Sequence, residues 1–136
     1  MNVTVERAVI YAEKEGYRFL ELDVYRPSEQ SGPLPLLHYI HGGGWRLSSR
    51  QRTPRETRGW TTDVFTRMVE AGFVVAASDY RFSDEAKYPA ALEDTADALT
   101  WLRTNADRFG IDPSRVVLFG QSAGGYLAAA VGLGRD

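Results

Sequence analysis

RVVLFGQSAGGYLAAAVGL runs from Arg115 to Leu133. RVVLFG is a mostly apolar run of strand length, and Ala123 to Leu133 is an alanine-rich run of helix length. Between them, Gly120-Gln121-Ser122-Ala123-Gly124 fits G-x-S-x-G, in which a serine sits on a sharp strand-to-helix turn with its hydroxyl raised above a sheet. The glycines follow from that geometry. Strand and helix backbones nearly touch beside such a serine, so the positions two before and two after it have to be small. Ala123 and Gly125 extend the small-residue zone. The competing account is a glycine-rich turn with a serine capping the helix. A buried strand before the motif and a helix after it favour the catalytic elbow.

Outward from this stretch the sequence alternates in kind. VTVERAVIYA and RFLELDVYRP mix β-branched, aromatic and charged residues with partial period-two alternation, which predicts strands with one wetter face. SEQSGP is turn-rich, and LPLLHYI, ending at Ile40, predicts a strand covered on both faces. A long loop follows from His41 to Trp60. TDVFTRMVEAG then places Val64, Phe65, Met68 and Val69 on one helical face, with Gly72 as a left-handed cap. FVVAASDY predicts another buried strand, and Pro89 opens a long helix in which Leu92, Leu99, Leu102 and Phe109 repeat at helical steps until Gly110. IDPS reads as a turn before RVVLFG.

The order strand, strand, strand, helix, strand, helix, strand, helix predicts an α/β fold, with a mostly parallel sheet and helices on both faces. Ligands in such sheets sit at the carboxyl ends of the strands. With no repeat or linker to divide it, the chain from 1 to 136 reads as part of a single domain.

Composition narrows the chemistry. The 136 residues are 43% apolar and 25% charged, as in ordinary globular proteins. A net charge of −2 gives no reason to expect a nucleic-acid partner. The absence of cysteine excludes disulfides, a thiol nucleophile and thiolate metal sites, and two histidines argue against a metal centre. The amino terminus lacks the pattern of an export signal, and no segment reaches membrane-spanning length. The expectation is a cytoplasmic protein without a membrane partner, metal or organic cofactor.

YIHGGGWR places Gly42, Gly43 and Gly44 at the end of a buried strand. Consecutive glycines cost chain entropy, so a close approach of backbone to ligand is a better account than chance. Backbone N–H groups there can meet a substrate oxygen as negative charge develops on it, each typically contributing about 3 kcal/mol in the transition state. A flexible loop is the alternative.

HGGGW, SDYRF, YPAALEDTADALTWLR and FGIDPSRVVLFGQSAGG together resemble the α/β-hydrolase superfamily, in its branch of hormone-sensitive-lipase-like and feruloyl-esterase-like carboxylesterases. The resemblance covers the chain from about Arg18 onward and implies a carboxylesterase acting on small-molecule esters. It implies Ser122 as nucleophile, and the N–H groups of Gly43, Gly44 and Ala123 as the oxyanion hole. His41 would brace the glycine loop, and Trp45 and Gln121 would line the substrate pocket. Asp79, Tyr80 and Arg81 would support the loop after their strand.

The pattern is also incomplete. A serine nucleophile needs a base, and the base needs an acid to orient it. In this fold the acid and then the histidine follow the serine, yet only Asp136 and no histidine follow Ser122. His38, inside a buried strand, reads as a core residue. The expectation is an amino-terminal part of an esterase, inactive alone, with RVVLF left as an apolar edge through which the chain self-associates. A noncatalytic α/β-hydrolase-like binding module is the alternative. Arg46, Arg50, Arg52, Arg55 and Arg58 crowd the loop after HGGGW, as a clamp for an acidic substrate or as a solvated lid. Glu93, Asp94 and Asp97 read as the exposed face of the long helix.

Overall fold

The apolar runs assemble into one five-stranded sheet in a computed structural model that describes residues 1–42, 50–51, 63–82 and 85–134. The strands are β1 (Val3–Ala12), β2 (Leu20–Pro27), β3 (Leu34–Ile40), β4 (Val74–Ser78) and β5 (Ile111–Gly120). The helices are α1 (Val64–Glu70), α2 (Ala90–Thr104), α3 (Ala106–Phe109) and α4 (Ala123–Gly134). Strand order is β1-β2-β4-β3-β5. β3 lies between β4 and β5 and runs parallel to both, while β1 and β2 join the β4 side through antiparallel pairings. The ends of β3 and β5 are therefore neighbours, with Ile40 opposite Gly120.

Alternation along the strands divides the core. Leu36, Val74 and Ala76 face Ala98 and Leu102 of α2, Phe109 of α3 and Val131 of α4. Leu37, Tyr39, Val75 and Ala77 face Val64, Phe65 and Val69 of α1. Each fully buried aliphatic side chain contributes about 1.5–3 kcal/mol. α1 is set by local signals. Asp63 accepts the Thr66 N–H at its start, and Gly72, at φ +108, closes a Schellman turn in which Phe73 N bonds Met68 O at 3.2 Å.

Four expectations change in detail. The long helix is interrupted at Asn105, whose side-chain amide and backbone N–H both donate to Trp101 O, so α2 ends and the short α3 carries the chain to Gly110. IDPS is not a separate turn but a bulge inside β5. Asp112 accepts from Ser114 N, Ser114 Oγ and Arg115 Nε, and the strand's edge position tolerates Pro113. β2 has no wet face. It lies inside the sheet, and its Asp23 is fully buried because Ala8 N, Arg7 and Arg50 satisfy it.

The fourth change concerns α2. Asp94 is not part of an exposed face: it is fully buried, bonding Arg81 Nε and Nη2 at 2.9 Å each and Arg81 N at 2.8 Å. Glu93 and Asp97 remain outside. The fork of Arg81 and both oxygens of Asp94 are matched, so removing one partner strands a buried charge. Asp94→Ala is expected to destabilise the chain by about 3–5 kcal/mol, read as a lower urea midpoint. Loss of less than about 1 kcal/mol would show that the pair is dispensable.

Candidate active site

The elbow forms where β5 gives way to α4. Ser122 has φ +57, a left-handed conformation that costs a non-glycine residue about 1–2 kcal/mol. Its side chain stands exposed at the carboxyl end of the sheet, while Ala123 and Gly124 behind it are buried. The backbone crowding expected from the motif is present. A Cβ on Gly124 would lie 2.0 Å from Ile40 O and 2.5 Å from His41 O, and one on Gly120 would lie 2.2 Å from Gly124 O. Glycine at these positions lets α4 rest directly on the ends of β3 and β5. Ala123 heads α4, so its N–H has no acceptor one turn earlier within the helix and forms part of the helix's partial positive end.

The glycine run begins beside the same turn. A Cβ on Gly42 would lie 2.7 Å from Gln121 O and 3.4 Å from Ser122 Cβ. The β3 and β5 ends thus bring Gly42, Gln121, Ser122 and Ala123 into one place. Gly43, Gly44 and Trp45 lie outside the described residues.

His41 is buried below this junction. Its Nδ1 donates to Gly42 O at 2.6 Å, and its ring stacks on Tyr80 with centroids 4.4 Å apart and planes 12° apart. Tyr80 OH donates to His41 O at 2.9 Å. Burial raises the Tyr80 phenol above its ordinary range, so the hydroxyl stays a donor at neutral pH. His41 is thus committed to the backbone that starts the glycine run.

His38 is a core residue. It is fully buried on β3 and its Nε2 lies 2.8 Å from Ser78 Oγ on β4. Desolvation lowers its pKa from 6.5 to about 4. Between those values the unfolded chain holds a proton that the folded chain does not, so acid favours unfolding. Stability contributed by neutral His38 is complete above pH 6.5 and falls by about 1.4 kcal/mol per unit as pH drops from there toward 4. Urea titrations of wild type and His38→Gln at pH 7.5 and 5 should show a steeper acid loss in wild type, and equal slopes would contradict this assignment.

Of the five arginines in the loop after the glycines, Arg50 is described and Arg46, Arg52, Arg55 and Arg58 are not. Arg50 faces the protein. Its Nε bonds Asp23 at 2.8 Å, its Nη1 bonds Asp79 at 2.6 Å and reaches Glu21 at 3.3 Å, and its backbone N–H donates to the other Asp79 oxygen at 2.8 Å. Burial disfavours the Arg50 charge, but the bonds to Asp23 and the charge of Asp79 outweigh it and raise its pKa. For Arg50, both a substrate clamp and a solvated position are replaced by an internal anchor. The sequence signal for this anchor is slight: acidic residues at alternate positions, Glu21 and Asp23, on a strand otherwise rich in apolar residues.

Two exposed tyrosines also flank the elbow. Tyr126, one helical turn beyond Ser122, has its hydroxyl 3.3 Å from that of Tyr88. Among the described residues no group of histidine, aspartate and glutamate side chains is placed to hold a metal ion.

Comparison with known proteins supplies the family. The family model described as BD-FAE matches residues 22–136. Carboxylesterase NlhH of Mycobacterium tuberculosis is 37% identical over 134 residues, covering 96% of this chain and 38% of that protein. Carboxylic ester hydrolase LipN of the same organism is 41% identical over 110 residues, covering 79% of this chain and 27% of LipN. Among solved structures, a bacterial heroin esterase superposes with a TM-score of 0.75 at 30% identity, over 98% of this chain and 39% of the esterase. A propionate-bound esterase of Thermogutta terrifontis gives a TM-score of 0.77 at 28% identity, over 93% of this chain and 44% of its own. The chain thus spans under half the length of these relatives. Sequence match, fold and the elbow agree: the chain belongs to the BD-FAE family, within the hormone-sensitive-lipase-like carboxylesterase branch of the α/β-hydrolases.

Proposed function

We propose that this chain carries the nucleophile and oxyanion half of a serine hydrolase that cleaves small-molecule carboxylic esters. The observation that carries the reading is Ser122 at φ +57 with Gly42 packed against it. In the reaction, Ser122 Oγ bonds to the ester carbonyl carbon and gives its proton to a histidine base. The carbonyl oxygen takes up the charge and is met by the N–H groups of Ala123, Gly43 and Gly44. The tetrahedral centre collapses, the C–O bond to the alcohol breaks, and the alcohol leaves with the proton. Water then cleaves the acyl-Ser122 ester by the reverse use of the same groups. Trp45 and Gln121 line the pocket, and no metal or organic cofactor takes part.

Among the described residues neither histidine fits the base. His38 is sealed beside Ser78, and His41 is bound to Gly42 O. The reading therefore places the acid and the histidine in sequence beyond Asp136 and treats the 136-residue chain alone as inactive. It also places the enzyme in the cytoplasm, without nucleic-acid or membrane partners; among the described residues no helix is long and apolar enough to cross a bilayer. The test is hydrolysis of short-chain nitrophenyl esters by the product of the whole coding sequence and by residues 1–136. Activity in the longer product alone supports the reading. Lack of activity in both, with both folded, favours a noncatalytic binding module.

The same reading predicts self-association of residues 1–136. β5 ends the strand order, and its Val117 and Phe119 are 46% and 43% exposed. An apolar edge with open backbone groups pairs readily with another strand. Sedimentation velocity should show concentration-dependent oligomers that Phe119→Lys reduces. A monodisperse monomer at high concentration would count against it.

A further inference from the structure

Ser122 stands at the head of one exposed stripe of α4. Ser122, Tyr126, Ala129 and Leu133 recur at steps of four, three and four and face outward, while Ala123, Leu127, Ala128 and Val131 are buried. One true helical turn separates the first two, since Tyr126 N donates to Ser122 O at 3.1 Å. Side chains one turn apart stand about 5–6 Å from each other at Cβ, and a helical side chain leans toward the amino terminus. The Tyr126 ring therefore lies on the Ser122 side of its own backbone. On α4 no side chain of comparable size intervenes, because Ala123 is small and buried and positions 124 and 125 are glycine. A second ring meets it from α2. Tyr88, two residues before that helix, has its hydroxyl 3.3 Å from the Tyr126 hydroxyl, and beneath them Ala91 of α2 packs with Leu127 and Ala128 of α4. Tyr88 and Tyr126 are 63% and 50% exposed, so both rings are open to a ligand held at Ser122.

We propose that Tyr126 and Tyr88 form an aromatic wall beside the nucleophile and make the enzyme selective for esters that carry a planar aryl group. This rests on the reading of the chain as a serine esterase and names a substrate class for that site. Two phenol rings offer π faces and edges to which an aryl ring stacks offset or edge-on, an attraction that a saturated ring of the same size lacks. The hydrogen bond to Tyr126 raises the Tyr88 phenol above its ordinary range, so Tyr88 is uncharged at neutral pH and suits an uncharged ring. A tyrosine has only two side-chain torsions to fix, and the contact between the hydroxyls restrains both rings before a substrate arrives. Little freedom is then lost on binding. The aryl group belongs to the acyl or to the alcohol half of the ester, since both halves extend from the carbonyl carbon that Ser122 attacks.

The test uses the product of the whole coding sequence and two matched pairs of esters. Methyl 3-phenylpropanoate against methyl 3-cyclohexylpropanoate reads the acyl half, and 2-phenylethyl acetate against 2-cyclohexylethyl acetate reads the alcohol half. Within a pair the carbonyl and the leaving group are alike, so the ratio of kcat/KM reports the ring alone. The cyclohexyl member is the more apolar, so a preference for phenyl is not plain hydrophobicity. The wild type is expected to favour the phenyl ester by about tenfold in one pair. Tyr126→Leu is expected to bring that ratio within about twofold of unity, the loss falling on the phenyl ester, whereas Tyr126→Phe keeps the ring and should keep most of the ratio. Tyr88→Leu is expected to lower the ratio in part and serves if Tyr126→Leu folds poorly. A wild-type ratio near one in both pairs overturns the proposal, as does a ratio that survives both leucine variants. Equal losses on both members of a pair would reduce the tyrosines to a structural role and overturn it too. Absence of hydrolysis by the wild type, on these and on nitrophenyl esters alike, overturns the esterase reading instead, a separable result.

Discussion

Replacing Ser122 with alanine in the product of the whole coding sequence is expected to lower kcat for ester hydrolysis by about a million-fold, the loss typical of removing a triad nucleophile. The residue does two separable things. Its hydroxyl is the proposed attacking group, and its backbone stands at φ +57, a conformation glycine adopts without the Cβ penalty. Ser122→Gly should therefore lose activity as completely as Ser122→Ala, yet raise stability by about 1 kcal/mol in urea unfolding. Retained turnover in either variant would remove Ser122 from the reaction. A Ser122→Gly chain no more stable than the alanine variant would remove the strain from the account.

The second large effect is on folding. Gly124→Ala puts a Cβ 2.0 Å from Ile40 O and 2.5 Å from His41 O, and both obstacles are backbone. No rotamer relieves that contact. Either α4 lifts from the sheet or β3 bends, and the expected loss exceeds about 4 kcal/mol, enough to leave much of the chain unfolded. Gly132, on the same helix, gives the contrast. A Cβ there meets Leu118 Cδ1 at 3.4 Å, an ordinary contact. Gly132→Ala should gain up to about 1 kcal/mol from helix propensity alone. Comparable stability of the two alanine variants by circular dichroism and urea unfolding would refute the close packing of α4 on β3.

The sequence carried the elbow and the fold because both are written in local, repeating signals. RVVLF followed by GQSAGG forces a strand, a tight turn and a helix, and the structure puts Ser122 at positive φ between β5 and α4. Apolar runs marked β3 and β4, since strands covered on both faces leave little choice of residue. RVVLFG, expected as a buried strand, instead lies at the end of the strand order with Val117 and Phe119 46% and 43% exposed. What stayed hidden was the pairing of charges. Asp94 lies three residues after Ala91 and four before Ala98, on the buried side of α2, but helix periodicity assigns a face without naming a partner. Arg81 supplied that partner across a turn. Arg50 looked like one member of a basic loop because Asp23 and Asp79, its partners, are remote in sequence and meet it only through the strand order β2-β4-β3. The break at Asn105 is absent from the sequence pattern for the opposite reason. It depends on a side-chain bond to Trp101 O within an otherwise regular apolar repeat.

The central claim is that Ser122 is a nucleophile. The measurement that tests it most directly is reaction of the whole coding product with a fluorophosphonate, followed by mass spectrometry of its peptides. The account predicts one adduct, on Ser122, absent from Ser122→Ala. A folded protein that forms no adduct, or forms it on another residue while Ser122 stays unmodified, would contradict it.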